Sequence, residues 1–219
     1  MLVEGPVRDS GDQQFGLIET LRFQPREGCI RIDRHIDRMA RSARHFDRRF
    51  DEAMARRLLG EVDGEMPLRL RLFLDENDAL SLTTHPFVPI SAGTVWRVAI
   101  ARNVQLDPGD PVLRHKTSLR AHYDAARGEF PTGEVDEVLL INTHGRVCEG
   151  SITSLFLERD GTLLTPPLSD GLLAGVLRTE LLDTGRAKEH RLLPPDLKTG
   201  ALYVGNSLRG LIPARLIEP

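Results

Sequence analysis

The protein is a chain of 219 residues with a formal net charge of −3 and a hydrophobic fraction of 40%. This apolar content and the nearly balanced charge exclude collagen-like and disordered chains. The 29 basic and 32 acidic residues create no overall field that favours nucleic acid. At about 150 residues per domain, the length allows one large domain or two small lobes.

The cysteine content and the first residues bear on the compartment. Cys29 and Cys148 are too few for a disulfide framework or a Cys-rich metal site, so no metal centre is predicted. The chain starts with an acid and a proline where a secretory signal needs a basic and then an apolar region. No run approaches the ~20 apolar residues of a transmembrane helix. We therefore expect a cytoplasmic protein that does not act at a membrane.

The first half of the chain mixes strand and helix signals. In chain order it predicts a strand over 15–23, a helix capped by Asp33, a helix over 51–60, a hairpin of strands over 69–74 and 80–84, and a strand over 95–101. Residues 106–112 then interrupt the pattern with two prolines and a glycine. We interpret them as a linker between an N-terminal lobe, residues 1–105, and a C-terminal lobe, residues 113–219.

The second half is richer in strand signals. In chain order it predicts a helix over 119–127, strands over 137–142, 152–157 and 162–165, a helix over 176–183, and strands over 189–193 and 202–204. Helices and hairpins are mixed without strict βαβ alternation, which favours an α+β fold over a doubly wound sheet. We expect two lobes, a small N-terminal α/β lobe and a larger, β-rich C-terminal lobe.

The chain has so few lysines that each can be considered as a candidate for amine chemistry. Only Lys116, Lys188 and Lys198 are lysines, and the other 26 basic residues are arginines. Lys116 lies just before a predicted helix, between Arg114-His115 and a threonine, and nearby cations are one route to a lowered amine pKa. The alternative is an ordinary exposed lysine at a helix entrance. Of the three, Lys116 is the best candidate nucleophile.

Two further charged positions each have an ordinary alternative. Glu149 follows a predicted strand and could face a site that needs a fixed negative charge, or could cap a turn. Arg38 lies on the basic face of the first helix, and such a face is usually solvated. From the residues alone, Arg38 is not distinguishable from Arg34, Arg41 or Arg44. Interleaved acids and the lack of an aromatic platform argue against a nucleic-acid role for this helix.

Two glycine-containing segments could bind an anion through backbone N–H groups. One is the helix start at 171–178, and the other is the tight turn at 205–207. The first does not fit the nucleotide-binding pattern G-x-x-x-x-G-K-[ST]. Each segment alone is a weak signal, but the two together with an arginine would suit one phosphate group.

Taken in order, these motifs resemble a known family over residues 15–215. The motifs are Glu19-Thr-Leu-Arg22, His35-Ile-Asp-Arg38-Met-Ala-Arg-Ser42-Ala43, His115-Lys116-Thr, Val147-Cys-Glu149-Gly-Ser, Leu173-Ala-Gly175-Val176-Leu177-Arg178 and Asn206-Ser207. The chain resembles the class IV, or fold type IV, pyridoxal-phosphate enzymes. That group includes branched-chain and D-amino acid aminotransferases and aminodeoxychorismate lyases.

The resemblance implies a role for each matched residue. Lys116 would bind pyridoxal phosphate covalently and act as general base, and Glu149 would pair with the pyridine nitrogen. The phosphate would be bound by the residues matching the family's anion-binding motifs, namely Arg38, the amides of Val176 and Leu177, Asn206 and Ser207. The resemblance also implies a homodimer that acts on a small amino substrate.

Within the family, three segments look most like the lyase. They are Leu113-Arg-His-Lys-Thr-Ser-Leu-Arg-Ala-His-Tyr, Thr153-Ser154-Leu155-Phe156 and Gly205-Asn-Ser-Leu-Arg-Gly210. The first hypothesis is therefore a lyase that forms p-aminobenzoate and pyruvate from 4-amino-4-deoxychorismate, a step of folate synthesis. The second is a class IV aminotransferase for branched-chain or D-amino acids. The third is a non-catalytic binding module on the same fold.

Overall fold

Two β-sheets of unequal size organise residues 14–218, the part of the chain that the computed structural model describes. The small sheet and its helices comprise β1 (Leu17–Gln24), β2 (Gly28–Cys29), α1 (Ile32–His45), α2 (Glu52–Gly60), β3 (Leu68–Leu74) and β4 (Leu80–Pro86). Its strands are antiparallel in the order β2-β1-β3-β4. The predicted hairpin is the β3–β4 pair.

Strict alternation along β3 gives the small sheet two different faces. Leu70 and Leu72 are fully buried in a core shared with Ile36 of α1. Arg69 and Arg71 occupy the alternate positions and are exposed, because successive strand residues point to opposite faces. One face of the sheet therefore packs on the helices, and the other presents arginines.

The predicted cap of α1 is wrong by two residues. The helix begins at Ile32, and Arg31 precedes it in the left-handed conformation with φ of 60° and makes no side-chain cap. Asp33 lies in the first turn instead, where its carboxylate accepts a hydrogen bond of 2.6 Å from Arg56 of α2. The acid thus joins two helices rather than capping one, although it still lies at the favourable end of the helix dipole.

The large sheet is built from the rest of the chain. Its elements are β5 (Trp96–Leu106), α3 (Ala121–Gly128), β6 (Glu137–Asn142), β7 (Val147–Gly150), β8 (Ser154–Arg159), β9 (Thr162–Thr165), α4 (Val176–Asp183), β10 (Ala187–Glu189), β11 (Ala201–Asn206) and β12 (Gly210–Leu216). The eight strands lie in the order β10-β9-β8-β11-β12-β5-β6-β7. The predicted α+β fold with a small and a large β-rich part is confirmed.

Three details of the large sheet differ from the predictions. β5 continues to Leu106 and pairs in parallel with β6 and β12 of the large sheet. The chain therefore passes from the small sheet to the large sheet between β4 and β5, before the expected linker over 106–112. The strand expected over 189–193 is shifted to β10, which pairs with β9. β12 was not expected, because a proline interrupts its pattern. The lobe limits at 1–105 and 113–219 stay predictions.

The structure describes only part of the chain on which the expectations about secretion and membrane insertion depend. The first residues, on which the expected lack of a secretory signal depends, lie outside the described residues. In the described range 14–218, no helix combines the length and apolar character needed to cross a membrane.

Candidate active site

A cavity of about 290 Å³ lies where the two sheets meet. It is lined by six of the seven residues proposed from the sequence: Arg38, Lys116, Glu149, Val176, Asn206 and Ser207. The seventh, Leu177, follows Val176 on α4, and its side chain packs in the core beside Phe156. The fold therefore brings together residues that are up to 169 positions apart in the chain, as Arg38 and Ser207 are.

Lys116 lies on the segment that joins the two sheets. Its carbonyl oxygen accepts a hydrogen bond of 2.8 Å from the Ile18 amide of β1, and the Ser118 amide donates to the Gly16 carbonyl at 2.9 Å. The pKa of the Lys116 amine is lowered to about 8, chiefly by burial; the positive charges of Arg38 and Arg120 act in the same direction, and the nearby acids oppose them. A far larger fraction of this amine is therefore neutral at pH 7 than of an ordinary lysine.

Glu149 lies near the end of β7 and is only 4% exposed. Its Oε1 accepts a hydrogen bond of 2.7 Å from the Tyr123 hydroxyl, and its Oε2 accepts one of 3.3 Å from the Leu173 amide. Burial raises the pKa of Glu149 to about 7, against the effect of these two donors and of Lys116. Both donors come from distant segments, so this carboxylate is part of the cavity wall and not a turn cap.

The structure distinguishes Arg38 from the other arginines of α1. Arg41 and Arg44 are exposed, and Arg34 pairs at the surface with an acid of α4. Arg38 is 6% exposed, and its Nε and Nη2 donate to Glu19 at 2.8 and 2.6 Å. This bidentate arrangement is a strong form of ion pair. It holds the guanidinium against the cavity.

Glu19 also positions His35, and through it Ser207. Burial alone would raise the pKa of Glu19, but the charge of Arg38 and the hydrogen bond from His35 hold it at about 2. The ionised carboxylate only accepts, so the His35 Nδ1, 2.6 Å away, carries the hydrogen. Burial lowers the pKa of His35 and keeps it neutral. Its Nε2 therefore accepts from the Ser207 hydroxyl at 2.8 Å.

Replacement of Glu19 by Gln is expected to destabilise the protein by about 3 kcal/mol at pH 7. The folded pKa of about 2 lies below the ordinary value of 4.5, so this stabilisation is present above pH 4.5 and is lost as the pH falls towards 2. Urea unfolding at pH 7 and at pH 3 measures it. Glu76→Gln, in an exposed turn, is the matched control. Equal stability of the Glu19 variant and the wild type at pH 7 would contradict this assignment.

The start of α4 and the turn after β11 form one side of the cavity. No side chain caps α4, so its first-turn N–H groups, including those of Val176 and Leu177, are left for another acceptor. A Cβ at the preceding Gly175 would lie 2.5 Å from the Ser154 hydroxyl, so any larger residue there would force that hydroxyl to move. The Asn206 side chain donates to the Ile152 carbonyl at 3.0 Å and accepts from the Arg209 amide at 3.0 Å. It therefore ties two loops together.

A buried carboxylate that the sequence analysis missed supports the loop after Glu149. Glu137 is fully buried and accepts hydrogen bonds from the hydroxyls of Ser151 and Thr153 at 2.6 and 2.8 Å, and from the amides of Ser151 and Ile152 at 3.1 and 3.2 Å. Arg127 supplies the opposite charge at 3.1 Å. These contacts hold the loop rigidly and occupy its amides.

Other contributors were also missed from the sequence. The sequence indicates neither a role for Tyr123 nor a partner for Glu19. A signal existed for Glu19, because it is an acid on the side of β1 that is otherwise occupied by Leu17, Leu21 and Phe23, and it is fully buried there. Buried acids are almost always paired, but the sequence does not say with which of 26 arginines.

Known proteins similar to this chain are named both as aminotransferases and as lyases. A crystal structure from Mesorhizobium loti, described as a "Putative amino-acid aminotransferase", has 46% identity and a TM-score of 0.88, over 93% of this chain and 100% of that one. A Thermotoga maritima protein named "Probable branched-chain-amino-acid aminotransferase" is 28% identical over 183 residues, 80% of this chain and 65% of its own. A Schizosaccharomyces pombe protein named "Putative aminodeoxychorismate lyase" is 35% identical over 114 residues, 49% of each chain.

The chain thus covers less than two thirds of the length of these last two relatives. The family described as amino-transferase class IV matches residues 16–217, which is nearly the whole chain. The matched range contains every residue that lines the cavity. The chain belongs to the amino-transferase class IV family, whose enzymes use pyridoxal phosphate.

Proposed function

We propose that the protein is a pyridoxal-phosphate-dependent lyase that converts 4-amino-4-deoxychorismate to p-aminobenzoate and pyruvate. The observation that carries the enzymatic part is the pairing of a lowered-pKa lysine and a buried carboxylate in one cavity. The choice of the lyase is supported by the segments 113–123 and 205–210 and by the partial match to the lyase-named relative.

The residues present fit pyridoxal phosphate. The neutral fraction of Lys116 suits a covalent bond to an aldehyde. Glu149, with a pKa of about 7 that burial raises, is suited to share a proton with a pyridine nitrogen. The uncapped start of α4 and the Arg38 guanidinium suit a phosphate. Each nitrogen of the Arg38 guanidinium already makes one contact, since Nε and Nη2 donate to Glu19 and Nη1 donates to the Ala174 carbonyl at 3.2 Å.

Each residue then has a definite task. When bound, the cofactor withdraws electrons from the substrate carbon that bears the amine. Lys116 would hold the cofactor covalently and, as general base, would take the proton from that carbon. Glu149 would keep a positive charge on the pyridine nitrogen. Arg38, the first amides of α4 and the turn at Asn206 and Ser207 would bind the phosphate.

A second candidate function is transamination of branched-chain or D-amino acids. It is favoured by the match to the Thermotoga relative, which covers 80% of this chain. The same lysine and carboxylate serve both reactions. The outcome depends on whether the substrate carries a group that leaves once the proton is removed, as the pyruvyl ether of 4-amino-4-deoxychorismate does.

We also propose that the chain acts as a cytoplasmic homodimer, as its resemblance to the family suggests. Both cysteines are free thiols, one half-buried and one buried, which suits a reducing compartment. Sedimentation analysis of the purified protein tests the assembly. A monomer at working concentrations would contradict it.

Separate assays of the two products test the proposed function. The protein loaded with pyridoxal phosphate is expected to release p-aminobenzoate and pyruvate in equal amounts from 4-amino-4-deoxychorismate. A panel of branched-chain and D-amino acids with 2-oxoglutarate is expected to give little turnover. Amino transfer without pyruvate release would favour the second function, and no cofactor binding would contradict both.

A further inference from the structure

Two ion pairs tie helix α1 of the small sheet to helix α4 of the large sheet. Arg34 pairs with Asp183 at 2.5 Å, and Arg31 pairs with Glu180 at 2.7 Å. The pair at Arg31 is the less exposed, since 20% and 31% of its two side chains are accessible against 35% and 55% for the pair at Arg34. All four residues lie outside the cavity lining, so the arrangement described above gives neither pair a task.

Arg31 differs from Arg34 because it makes a second contact across the two sheets. Its Nε donates to Glu180 of α4, and its Nη1 donates to the Ser207 carbonyl at 3.4 Å. One guanidinium therefore reaches both α4 and the turn after β11, which are the two segments proposed to bind the phosphate. A planar guanidinium with N–H groups in fixed directions is suited to hold two acceptors at a set distance.

Ser207 is held on both of its polar sides by the start of α1. Its hydroxyl donates to the His35 Nε2 at 2.8 Å, and its carbonyl accepts from Arg31. Arg31 and His35 are four residues apart, which is about one helical turn, so their side chains lie on the same side of α1. The same helix carries Arg38. One element thus supplies Arg38, fixes Ser207 and, through Glu180, also reaches α4.

The backbone of Arg31 is consistent with a special use of its side chain. Its φ of 60° and ψ of 32° are left-handed, a conformation in which a non-glycine residue is strained. A glycine would adopt this conformation without strain. Strain of this kind is retained where the surrounding contacts outweigh it, and here those contacts are the ones to Glu180 and Ser207.

We propose that Arg31 is a positioning residue of the phosphate site. It holds α4 and the turn at Ser207 at the distance at which both contact one phosphate group, and it acts through these two segments without lining the cavity. This inference rests on the proposed function of the cavity. A partly exposed ion pair contributes little to stability, so the main effect of Arg31 is expected on the affinity for the phosphate group and not on folding.

A comparison of pyridoxal phosphate with pyridoxal isolates the contribution of the phosphate group. Both aldehydes can bond to Lys116, but only the first carries the phosphate. Titration of each into the cofactor-free chain, followed by visible absorbance, gives the two affinities. Arg31→Gln is expected to weaken the binding of pyridoxal phosphate roughly 10-fold and that of pyridoxal less than about 2-fold. Equal weakening of both aldehydes, or of neither, would overturn the inference.

Arg34→Gln is the matched control. It removes the same charge from the same helix and breaks the other pair with α4, but within residues 14–218 the Arg34 side chain does not bond to Ser207. Both affinities are therefore expected to stay unchanged. A loss of phosphate preference equal to that in Arg31→Gln would assign the effect to the lost charge and would overturn the positioning role.

Arg31→Gly separates positioning from folding. Glycine suits the left-handed backbone at this position, so the midpoint of thermal unfolding is expected to stay close to that of the wild type. The preference for pyridoxal phosphate over pyridoxal is nevertheless expected to fall as far as in Arg31→Gln, because the contacts to Glu180 and Ser207 are lost. A glycine variant that keeps the full preference would refute the role of the side chain.

The proposed function and this inference fail in different ways. If neither aldehyde forms an adduct with Lys116, the proposed function fails, and inorganic phosphate then decides on Arg31. Titrated calorimetrically into the cofactor-free chain, phosphate is expected to bind the wild type and Arg34→Gln roughly 10-fold more tightly than Arg31→Gln. Equal affinities in all three proteins, or no binding to the wild type, would overturn the role of Arg31.

Discussion

Lys116→Ala is expected to abolish the visible absorbance of bound pyridoxal phosphate and to reduce turnover by about 10⁴-fold or more. The change removes the covalent attachment, and it also removes a general base that alone contributes roughly 10²–10⁴-fold. Spectra of the protein mixed with the cofactor and initial rates of product release measure the two effects. In the cofactor-free protein, where the amine is unbound and burial lowers the pKa of Lys116 to about 8, its reactivity towards an amine reagent is expected to rise through pH 8.

The small number of lysines makes the control decisive. Lys188 is exposed on the edge strand β10, and Lys188→Ala is expected to retain the absorbance and the rate. Borohydride reduction followed by peptide mass analysis locates the attached cofactor on one of three lysines. Attachment at Lys188 or Lys198 in the wild type would refute the assignment of Lys116.

Glu149→Gln is expected to reduce turnover by roughly 10²–10³-fold and yet to stabilise the folded protein at high pH. The activity falls because a neutral amide does not hold the pyridine nitrogen in its charged form. The stability rises because Glu149 has a folded pKa of about 7 against an ordinary value of 4.5. The folded state therefore binds the proton more tightly than the unfolded chain. The wild type loses stability as the pH rises from 4.5 through 7.

The size of this effect follows from the same pKa difference. Above pH 8 the buried carboxylate costs about 3 kcal/mol, and a glutamine is neutral at every pH. Urea unfolding of the cofactor-free protein is expected to show Glu149→Gln more stable than the wild type at pH 8, with a gap that closes near pH 4.5. Tyr123→Phe removes the hydroxyl that donates to Glu149 at 2.7 Å. It is therefore expected to enlarge the loss of stability with rising pH. A pH-independent difference between Glu149→Gln and wild type would contradict this.

Local patterns predicted those elements whose signal lies within a few residues. The alternating runs of β3 and β4, the apolar run of β6 and the helix α4 are where the sequence indicates them, because side-chain periodicity and turn residues act locally. β10 was predicted over 189–193 instead of Ala187–Glu189, and β12 was not predicted because a proline interrupts its pattern; the place of each strand is defined by the strand with which it pairs. Their partners, β9 and β11, supply that information only in the folded chain.

The sequence by itself determined the family, the fold class and a short set of candidates, in which one lysine of three and one glutamate stood out. It left the arginines of α1 equivalent until a resemblance selected Arg38. Only the tertiary structure decided why Arg38 is special, because its partner Glu19 lies on another element, and why Ser207 is oriented by His35, 172 residues away. The pKa values of Lys116 and Glu149 were likewise undetermined, since they arise from burial between two sheets and not from neighbours in the chain.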